Sequence, residues 1–122
     1  MLKRQQLLKR IPLLRGFSNR SLKELANLAR EQHFDYGLGI CQWFDNLPCY
    51  VIAKGEVHVR DINGERTLKE DDVLNEGALV DPTKPCNMHA TSSGSLGVDL
   101  VALSGIAFQE FLGSKSSGRR KV

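Results

Sequence analysis

The sequence predicts a mainly β domain with helices at both ends. From residue 32 onward, short strand-like runs are separated by turn residues, as an antiparallel β-barrel or sandwich requires. At both ends of the chain, apolar residues instead recur at three- and four-residue steps, which is the spacing of a helical face. The 122 residues are enough for one domain. We therefore expect a single domain over residues 1–113 and a basic flexible tail over 114–122.

The N-terminal segment predicts two helices separated by a kink. Apolar residues follow helical spacing from Leu7 to Phe17, and Pro12 interrupts them because proline lacks an amide hydrogen. Ser18 is a suitable N-cap for the second helix. Four apolar residues are then expected to face inward: Leu22, Leu25, Ala26 and Leu28.

Seven short runs are predicted as strands. Gly55 and the pair Asn63-Gly64 are turn signals that join neighbouring strands into hairpins. After the last strand, Phe108 and Phe111 belong to an apolar face that predicts a C-terminal helix ending at Gly113. The strands are expected at residues 34–36, 39–43, 49–53, 56–61, 65–69, 88–92 and 99–103.

Charge is distributed unevenly along the chain. The net charge is +7 over residues 1–30, −8 over 31–114 and +4 over 115–122, which gives +3 in total. A nucleic acid or a lipid surface could use such basic ends, but a solvated helical face beside an acidic body is the simpler interpretation. A protein partner bound through the basic N-terminal helix is a further prediction.

Composition and spacing argue against several classes of protein. No apolar run approaches the length of a membrane span, and the N-terminus lacks the features of a secretory signal. The three cysteines have the spacing of neither a zinc site nor a redox pair, and the three histidines lie far apart. No nucleophile–base or paired-carboxylate motif is present. We therefore expect a cytoplasmic protein with free thiols, without a metal, a cofactor or catalytic activity.

Three segments resemble one known family. Residues 50–59, YVIAKGEVHV, are similar to a hairpin of the form Y-I-I-x-x-G-x-V-x-V, and residues 11–18, IPLLRGFS, to an apolar-Pro-Leu-Phe entry motif. Residues 74–91 keep much of the frame F-G-E-x-A-L-x-x-x-x-P-R-x-A-T, in LNEGAL followed by Pro85 and Ala90-Thr91. These motifs are typical of the cyclic-nucleotide-binding domain of kinase regulatory subunits, gated cation channels and catabolite-activator-type regulators.

The resemblance extends over roughly residues 6–113 and implies a fold. The expected architecture is a small antiparallel β-barrel or jelly roll with N-terminal helices and a C-terminal helix. The phosphate-binding cassette, residues 74–88, would lie over the mouth of the barrel. In the catabolite-activator type a DNA-binding helix-turn-helix follows the sensor domain, but too few residues follow Gly113 for a recognition helix. No DNA binding is therefore expected.

The resemblance also implies roles for the cassette residues. Glu76 falls where the family's glutamate accepts a hydrogen bond from the ribose 2′-hydroxyl. The backbone amides of Gly77, Ala78 and Leu79 would face the cyclic phosphate at a helix N-terminus. The alternative role for Glu76 is that of a first-turn carboxylate that stabilises this helix without any ligand. Asn75 replaces a glycine of the family and can keep the turn, because asparagine tolerates unusual backbone dihedrals.

The phosphate-binding arginine of the family is missing. Counting forward from Pro85 places Cys86 at its position, whereas counting back from Gly113 places Met88 there, beside His89. Neither a thiol nor a thioether can replace the bidentate bonds of a guanidinium to phosphate, and the loss weakens binding roughly ten- to more than a hundredfold. The candidate ligand-binding residues are Glu76, Gly77, Ala78, Leu79, Cys86, Met88 and His89.

The sequence therefore predicts a regulatory, cyclic-nucleotide-binding-like sensor. Its expected ligand is cAMP or cGMP, bound weakly, or a related purine nucleoside. The alternative prediction is a degenerate sensor that binds no small molecule and acts as a protein-interaction module. Trp43 and Phe44 are expected to pack under a shortened loop rather than to cap a base.

Overall fold

The computed structural model describes residues 2–41 and 47–120. The helices in these ranges are α1 (Leu2–Leu8), α2 (Asn19–Leu28), α3 (Gly77–Val80) and α4 (Gly105–Arg120), and a 3₁₀ turn (Pro12–Leu14) lies between α1 and α2. The strands are β1 (Arg30–Phe34), β2 (Gly39–Cys41), β3 (Cys49–Lys54), β4 (Val57–Asp61), β5 (Gly64–Leu68), β6 (Val73–Leu74), β7 (His89–Ser92) and β8 (Val98–Leu103).

The strands form two antiparallel sheets. Sheet A has the order β1-β8-β3-β6, and sheet B has the order β2-β7-β4-β5. The chain passes repeatedly from one sheet to the other, as in a jelly roll. The prediction of a mainly β fold with flanking helices is therefore confirmed in its jelly-roll form. Over the described ranges the two sheets do not close into a barrel.

Strand β3 contributes to two apolar cores. Cys49 and Val51 belong to the core between sheet A and the helices, whereas Tyr50 and Ile52 belong to the core between the two sheets. All four side chains are at most 3% exposed. Successive side chains of a strand point to opposite faces, so one strand can serve both cores.

Helix α2 begins as the sequence predicts. The Ser18 hydroxyl oxygen accepts a hydrogen bond from the Ser21 amide at 3.1 Å, which confirms Ser18 as the N-cap. Three of the four predicted inward residues are buried, but Leu28 is 45% exposed, so its prediction is wrong. At 100° per residue Leu28 lies off the buried face, and Ala29, which is 4% exposed, completes that face instead.

Two strand predictions need correction. Strand β1 covers Arg30–Phe34, not residues 34–36, because a turn begins directly after Phe34, in which the Leu38 amide donates a hydrogen bond to the Asp35 carbonyl oxygen at 3.1 Å. Most side chains of β1 are exposed and polar, so the strand carries no apolar alternation from which it could be recognised. The short strand β6 was not predicted at all. The outer part of the predicted run 39–43 lies outside the described residues.

Helix α4 continues through Gly113 to Arg120, so its predicted end is wrong. The prediction relied on Gly113 adopting the left-handed conformation that terminates many helices. Gly113 is not among the residues with positive φ. Residues 114–120, expected as a tail, therefore extend the helix.

Gly55 occupies a turn in which a side chain does not fit. Its φ is +104°, and an added Cβ would lie 2.5 Å from the Gly97 carbonyl oxygen. We expect Gly55→Ala to lower the free energy of unfolding by about 1–3 kcal/mol in urea denaturation. Gly16→Ala is the matched control, since no heavy atom lies within 4 Å of its added Cβ. Equal losses in the two variants would contradict this interpretation.

His33 joins β1 to β8 and to the following turn. Its Nδ1 lies 2.6 Å from Asp99 Oδ1, and its Nε2 lies 3.2 Å from Asp35 Oδ1. The hydrogen bond to Asp99 is the main cause that raises the pKa of His33 above its ordinary value of 6.5. A raised folded-state pKa means that this stabilisation is complete below pH 6.5 and is lost as the pH rises through the folded-state pKa.

We therefore expect the free energy of unfolding to fall with rising pH across this window, and His33→Gln to flatten the fall. Asp99→Asn is the matched variant, because it removes the negative charge beside the imidazole while keeping the shape of the Asp99 side chain. Urea denaturation at a series of pH values measures the slope for each protein. A slope that survives in both variants would assign the pH dependence to other groups.

Candidate functional site

The cassette, residues 74–88, connects β6 to β7 and contains α3. Tyr50 of β3 pairs with Leu74 of β6, so the cassette leaves sheet A beside the start of β3. Helix α3 then packs against α4 and against β3. The cassette therefore lies where both cores and the C-terminal helix meet.

Asn75 shapes the first turn of the cassette. Its φ is +64°, the left-handed conformation that glycine usually adopts. The side-chain amide donates hydrogen bonds to the carbonyl oxygens of Leu47 and Pro48 at 3.0 and 3.1 Å. Asn75 thus adopts a turn conformation that glycine would also allow, and its side chain ties this turn to the segment before β3.

Glu76 makes a contact that the sequence did not predict. Its Oε2 accepts a hydrogen bond from the Leu13 backbone amide at 3.0 Å. Leu13 lies in the 3₁₀ turn, where the first amides have no partner within the turn itself. The Glu76 side chain makes no capping hydrogen bond to α3. The carboxylate therefore caps the 3₁₀ turn, and its contact with ribose stays a prediction.

The charge of Glu76 also acts on the helical core. The pKa of the Cys49 thiol is raised to about 12, mainly by burial and to a smaller extent by the negative charge of Glu76. Cys49 belongs to the core that packs against the helices. Glu76 therefore lies on the helical side of sheet A in this structure.

The α3 amides are partly engaged. The Ala78 amide donates to the Asn75 carbonyl oxygen at 3.1 Å, and the Leu79 amide donates to the Glu76 carbonyl oxygen at 3.0 Å. Two of the three amides predicted to face a phosphate thus form hydrogen bonds within the turn. An anion bound at this turn would compete with the two carbonyl oxygens for these amides.

Cys86 and Met88 both face the interior between the sheets. They are 4% and 9% exposed, and both pack in the same apolar cluster with Tyr50 and Leu74. Cys86 donates a weak hydrogen bond to the Met88 carbonyl oxygen, with Sγ and O 3.7 Å apart. His89 follows on β7 and is half-buried. Both candidate arginine positions face the same apolar interior. The position therefore lacks a cation whichever of the two alignments is used.

The interior around Cys86 disfavours negative charge. Burial is the main cause that raises the pKa of Tyr50 to about 12, with added effects of Cys41 and Cys86. Among the residues that the structure describes, no lysine or arginine is buried, and Ser92 is the one polar residue that is. An anion placed there would lose its hydration without gaining a cationic partner.

Helix α3 also contacts the C-terminal helix closely. A Cβ added at Gly105 would overlap the Ala78 carbonyl oxygen, so only glycine allows this approach of α4. Gln109 of α4 donates a hydrogen bond to the Leu79 carbonyl oxygen. The cassette is thus linked to the 3₁₀ turn on one side and to α4 on the other.

The two aromatic residues considered as base caps, Trp43 and Phe44, lie outside the described residues, so their packing stays a prediction. Within residues 2–41 and 47–120, no three metal-ligating side chains are grouped to hold an ion. No helix in the same ranges has the length and apolarity to cross a bilayer.

No protein-family model matches the chain, and the comparison with curated proteins finds no match. Solved structures do match. The regulatory domain of Toxoplasma gondii PKA, solved with cAMP, is 19% identical with a TM-score of 0.74, over 98% of this chain and 49% of that chain. A cyclic nucleotide-binding-like protein of Brucella abortus is 20% identical with a TM-score of 0.73, over 89% of this chain and 97% of that chain.

A third solved structure is a domain of a transcriptional regulator. The sensor domain of the transcriptional regulator DNR from Pseudomonas aeruginosa is 20% identical with a TM-score of 0.72, over 95% of this chain and 82% of that chain. The present chain spans about half, 49%, of the Toxoplasma chain. Together these structures show that the chain has the cyclic-nucleotide-binding domain fold.

The Glu76 contact can be tested without any ligand. We expect Glu76→Ala to lower the free energy of unfolding by about 1 kcal/mol, because the Leu13 amide loses its acceptor. Hydrogen exchange of the Leu13 amide should become faster. Glu110→Ala, which removes an exposed carboxylate from α4, is the matched control and should leave this exchange rate unchanged. An unaltered Leu13 exchange rate in Glu76→Ala would refute the capping role.

Proposed function

We propose that this chain is a non-catalytic regulatory module that binds cyclic nucleotides or purine nucleosides with low affinity. The observation that carries the proposal is the burial of Cys86 and Met88 in an apolar interior, on a fold shared with cAMP-bound regulatory domains. The frame of a nucleotide cassette is retained, but the cation that would pair with a cyclic phosphate is replaced by a thiol or a thioether.

The size of this effect can be estimated. A hydrogen bond to a charged group contributes about 1.5–3 kcal/mol, so its loss weakens binding roughly ten- to more than a hundredfold. An uncharged nucleoside has no phosphate to pair and loses nothing by this replacement. The proposed ligand preference therefore shifts from cAMP and cGMP towards adenosine and guanosine.

The contacts of Glu76 suggest how occupancy would be transmitted. Glu76 Oε2 already accepts a hydrogen bond from the Leu13 amide in the 3₁₀ turn. A ribose hydroxyl that recruits this carboxylate would compete with Leu13 and loosen the turn between α1 and α2. Through Gly105 and Gln109, a shift of α3 would also reach α4. The terminal helices would therefore report the state of the cassette.

A protein-interaction module that binds no small molecule is the second candidate. It is favoured by the filled interior, where Leu74 is 1% exposed and Met88 is 9% exposed. The surface offered to a partner would be the basic N-terminal helical segment. Its exposed cations include Lys9, Arg15, Arg20 and Lys23.

Calorimetric titration of the chain separates the two candidates. The titrants are cAMP, cGMP, adenosine and guanosine, at protein concentrations that detect dissociation constants near a millimolar. Saturable binding supports the sensor, and a preference for the nucleosides supports the proposed role of the missing cation. No heat of binding from any of the four would favour the interaction module.

Restoring the cation provides the sharper test. We expect Met88→Arg or Cys86→Arg to raise cAMP affinity at least tenfold, because a guanidinium can bind the cyclic phosphate bidentately. Met88→Leu is the matched control and should leave the affinity unchanged. Adenosine affinity should not rise in either arginine variant.

Each arginine variant is first checked for folding, because an arginine in an apolar interior also destabilises the chain. Thermal unfolding and the dispersion of amide NMR signals serve for this check. Unchanged cAMP affinity in both folded arginine variants would refute a competent nucleotide cassette.

A further inference from the structure

A second cleft lies at the end of β3 away from the cassette. We call it the distal cleft. Its main cavity, about 770 Å³, is lined by the turn between β3 and β4, the segment after β5 and the loop between β7 and β8. A second cavity of about 330 Å³, between α1 and β1, shares Lys54 and Asp99 with it. Tyr50, next to the cassette, and Lys54 lie near opposite ends of β3.

The main cavity contains opposite charges that do not pair with one another. Besides Asp99, which pairs with His33, four charged side chains line it: the ammonium groups of Lys54 and Lys69 and the carboxylates of Glu56 and Glu70. Within the described part of the chain, none of these four side chains forms a salt bridge or a side-chain hydrogen bond. Both signs of charge are therefore available to a bound molecule.

The cleft is also where buried polar atoms lack partners. Over the described ranges, three buried side-chain polar atoms have no hydrogen-bond partner, and all three belong to residues lining the two cavities: Arg4 Nε, Gln32 Oε1 and Ser93 Oγ. Arg4 Nε lies 3.6 Å from the Glu31 carboxylate, an ion-pair distance too long for a hydrogen bond. Buried polar groups usually have partners, so their grouping here points to a polar ligand.

An apolar side chain lies beside these polar groups. Leu96, in the loop between β7 and β8, is 84% exposed and lines the main cavity. This loop is held against the β3–β4 turn, because the Gly97 carbonyl oxygen lies 2.5 Å from where a Cβ of Gly55 would be. Asp99 is already engaged by His33 at 2.6 Å. The groups left for a ligand in the main cavity are thus the four unpaired charges, the Ser93 hydroxyl and Leu96.

We propose that the distal cleft binds a zwitterionic amino acid with an aliphatic side chain. Its carboxylate would lie between Lys54 and Lys69, its ammonium group beside Glu56 or Glu70, and its side chain against Leu96. Apart from Asp99, which His33 engages, the two ammonium groups and two carboxylates sum to zero charge, so a simple anion or cation would meet repulsion as well as attraction. A ligand with both charges meets only the favourable pairings.

Titration of the ¹⁵N-labelled chain with L-leucine tests this site. Exposed ion pairs contribute little, so a dissociation constant in the millimolar range is expected. The amides of Gly55, Gly94 and Gly97 should shift and saturate. N-acetyl-L-leucinamide, which has the same side chain but neither charge, should cause no saturable shift. Equal shifts with both compounds, or no saturation with L-leucine, would overturn the proposal.

Variants of the two lysines identify the charges involved. Lys54→Gln and Lys69→Gln should each weaken L-leucine binding about two- to fivefold. Lys84→Gln, an exposed lysine of the cassette, is the matched control and should leave the affinity unchanged. Wild-type affinity in the double variant of Lys54 and Lys69 would refute the site. The distal cleft shares no lining residue with the cassette, so L-leucine binding can succeed or fail independently of cyclic-nucleotide binding.

Discussion

The structure depends on the alternation of side chains along β3. Cys49 and Val51 close the core beneath the helices, while Tyr50 and Ile52 close the core between the sheets. The same strand pairs with β8 on one edge and with β6 on the other, so it also fixes where the cassette begins. A shift of one residue in its register would move the side chains of each core to the opposite face of sheet A. The helices, both sheets and the cassette therefore share one reference strand.

The cassette combines a retained shape with altered chemistry. Asn75 reproduces the left-handed turn, and α3 packs as the fold requires, but the interior beneath is apolar at Cys86 and Met88. The shape and the charge of this segment are thus separable, because the backbone turn depends on local dihedrals, whereas pairing with an anion requires a cationic side chain. Glu76 accepts a hydrogen bond from the Leu13 amide, so it has a structural role in the absence of a ligand.

Local signals explain what the sequence predicted well. The Ser18 cap, the Gly55 turn and the hairpin at Asn63-Gly64 each depend on residues close together in the chain, and the structure confirms them. The bounds of edge strand β1 were predicted wrongly because most of its side chains are exposed and polar. The Glu76 partner lies 63 residues away, and its recognition requires the folded packing of the 3₁₀ turn on the cassette. A long-range contact of this kind produces no periodic pattern in the sequence from which it could be predicted.

The close approach of α4 to α3 has a mechanical consequence. Gly105 lets the first turn of α4 touch the Ala78 carbonyl oxygen, so the helix is held at its first residue. A helix of 16 residues is about 24 Å long, and a tilt of about 10° at this pivot would move its far end by about 4 Å. The contact with the cassette thus lies close to the point about which α4 would tilt, and the C-terminal end of the helix lies far from that point. Displacements of a few tenths of an ångström at α3 would be amplified at the basic C-terminal end.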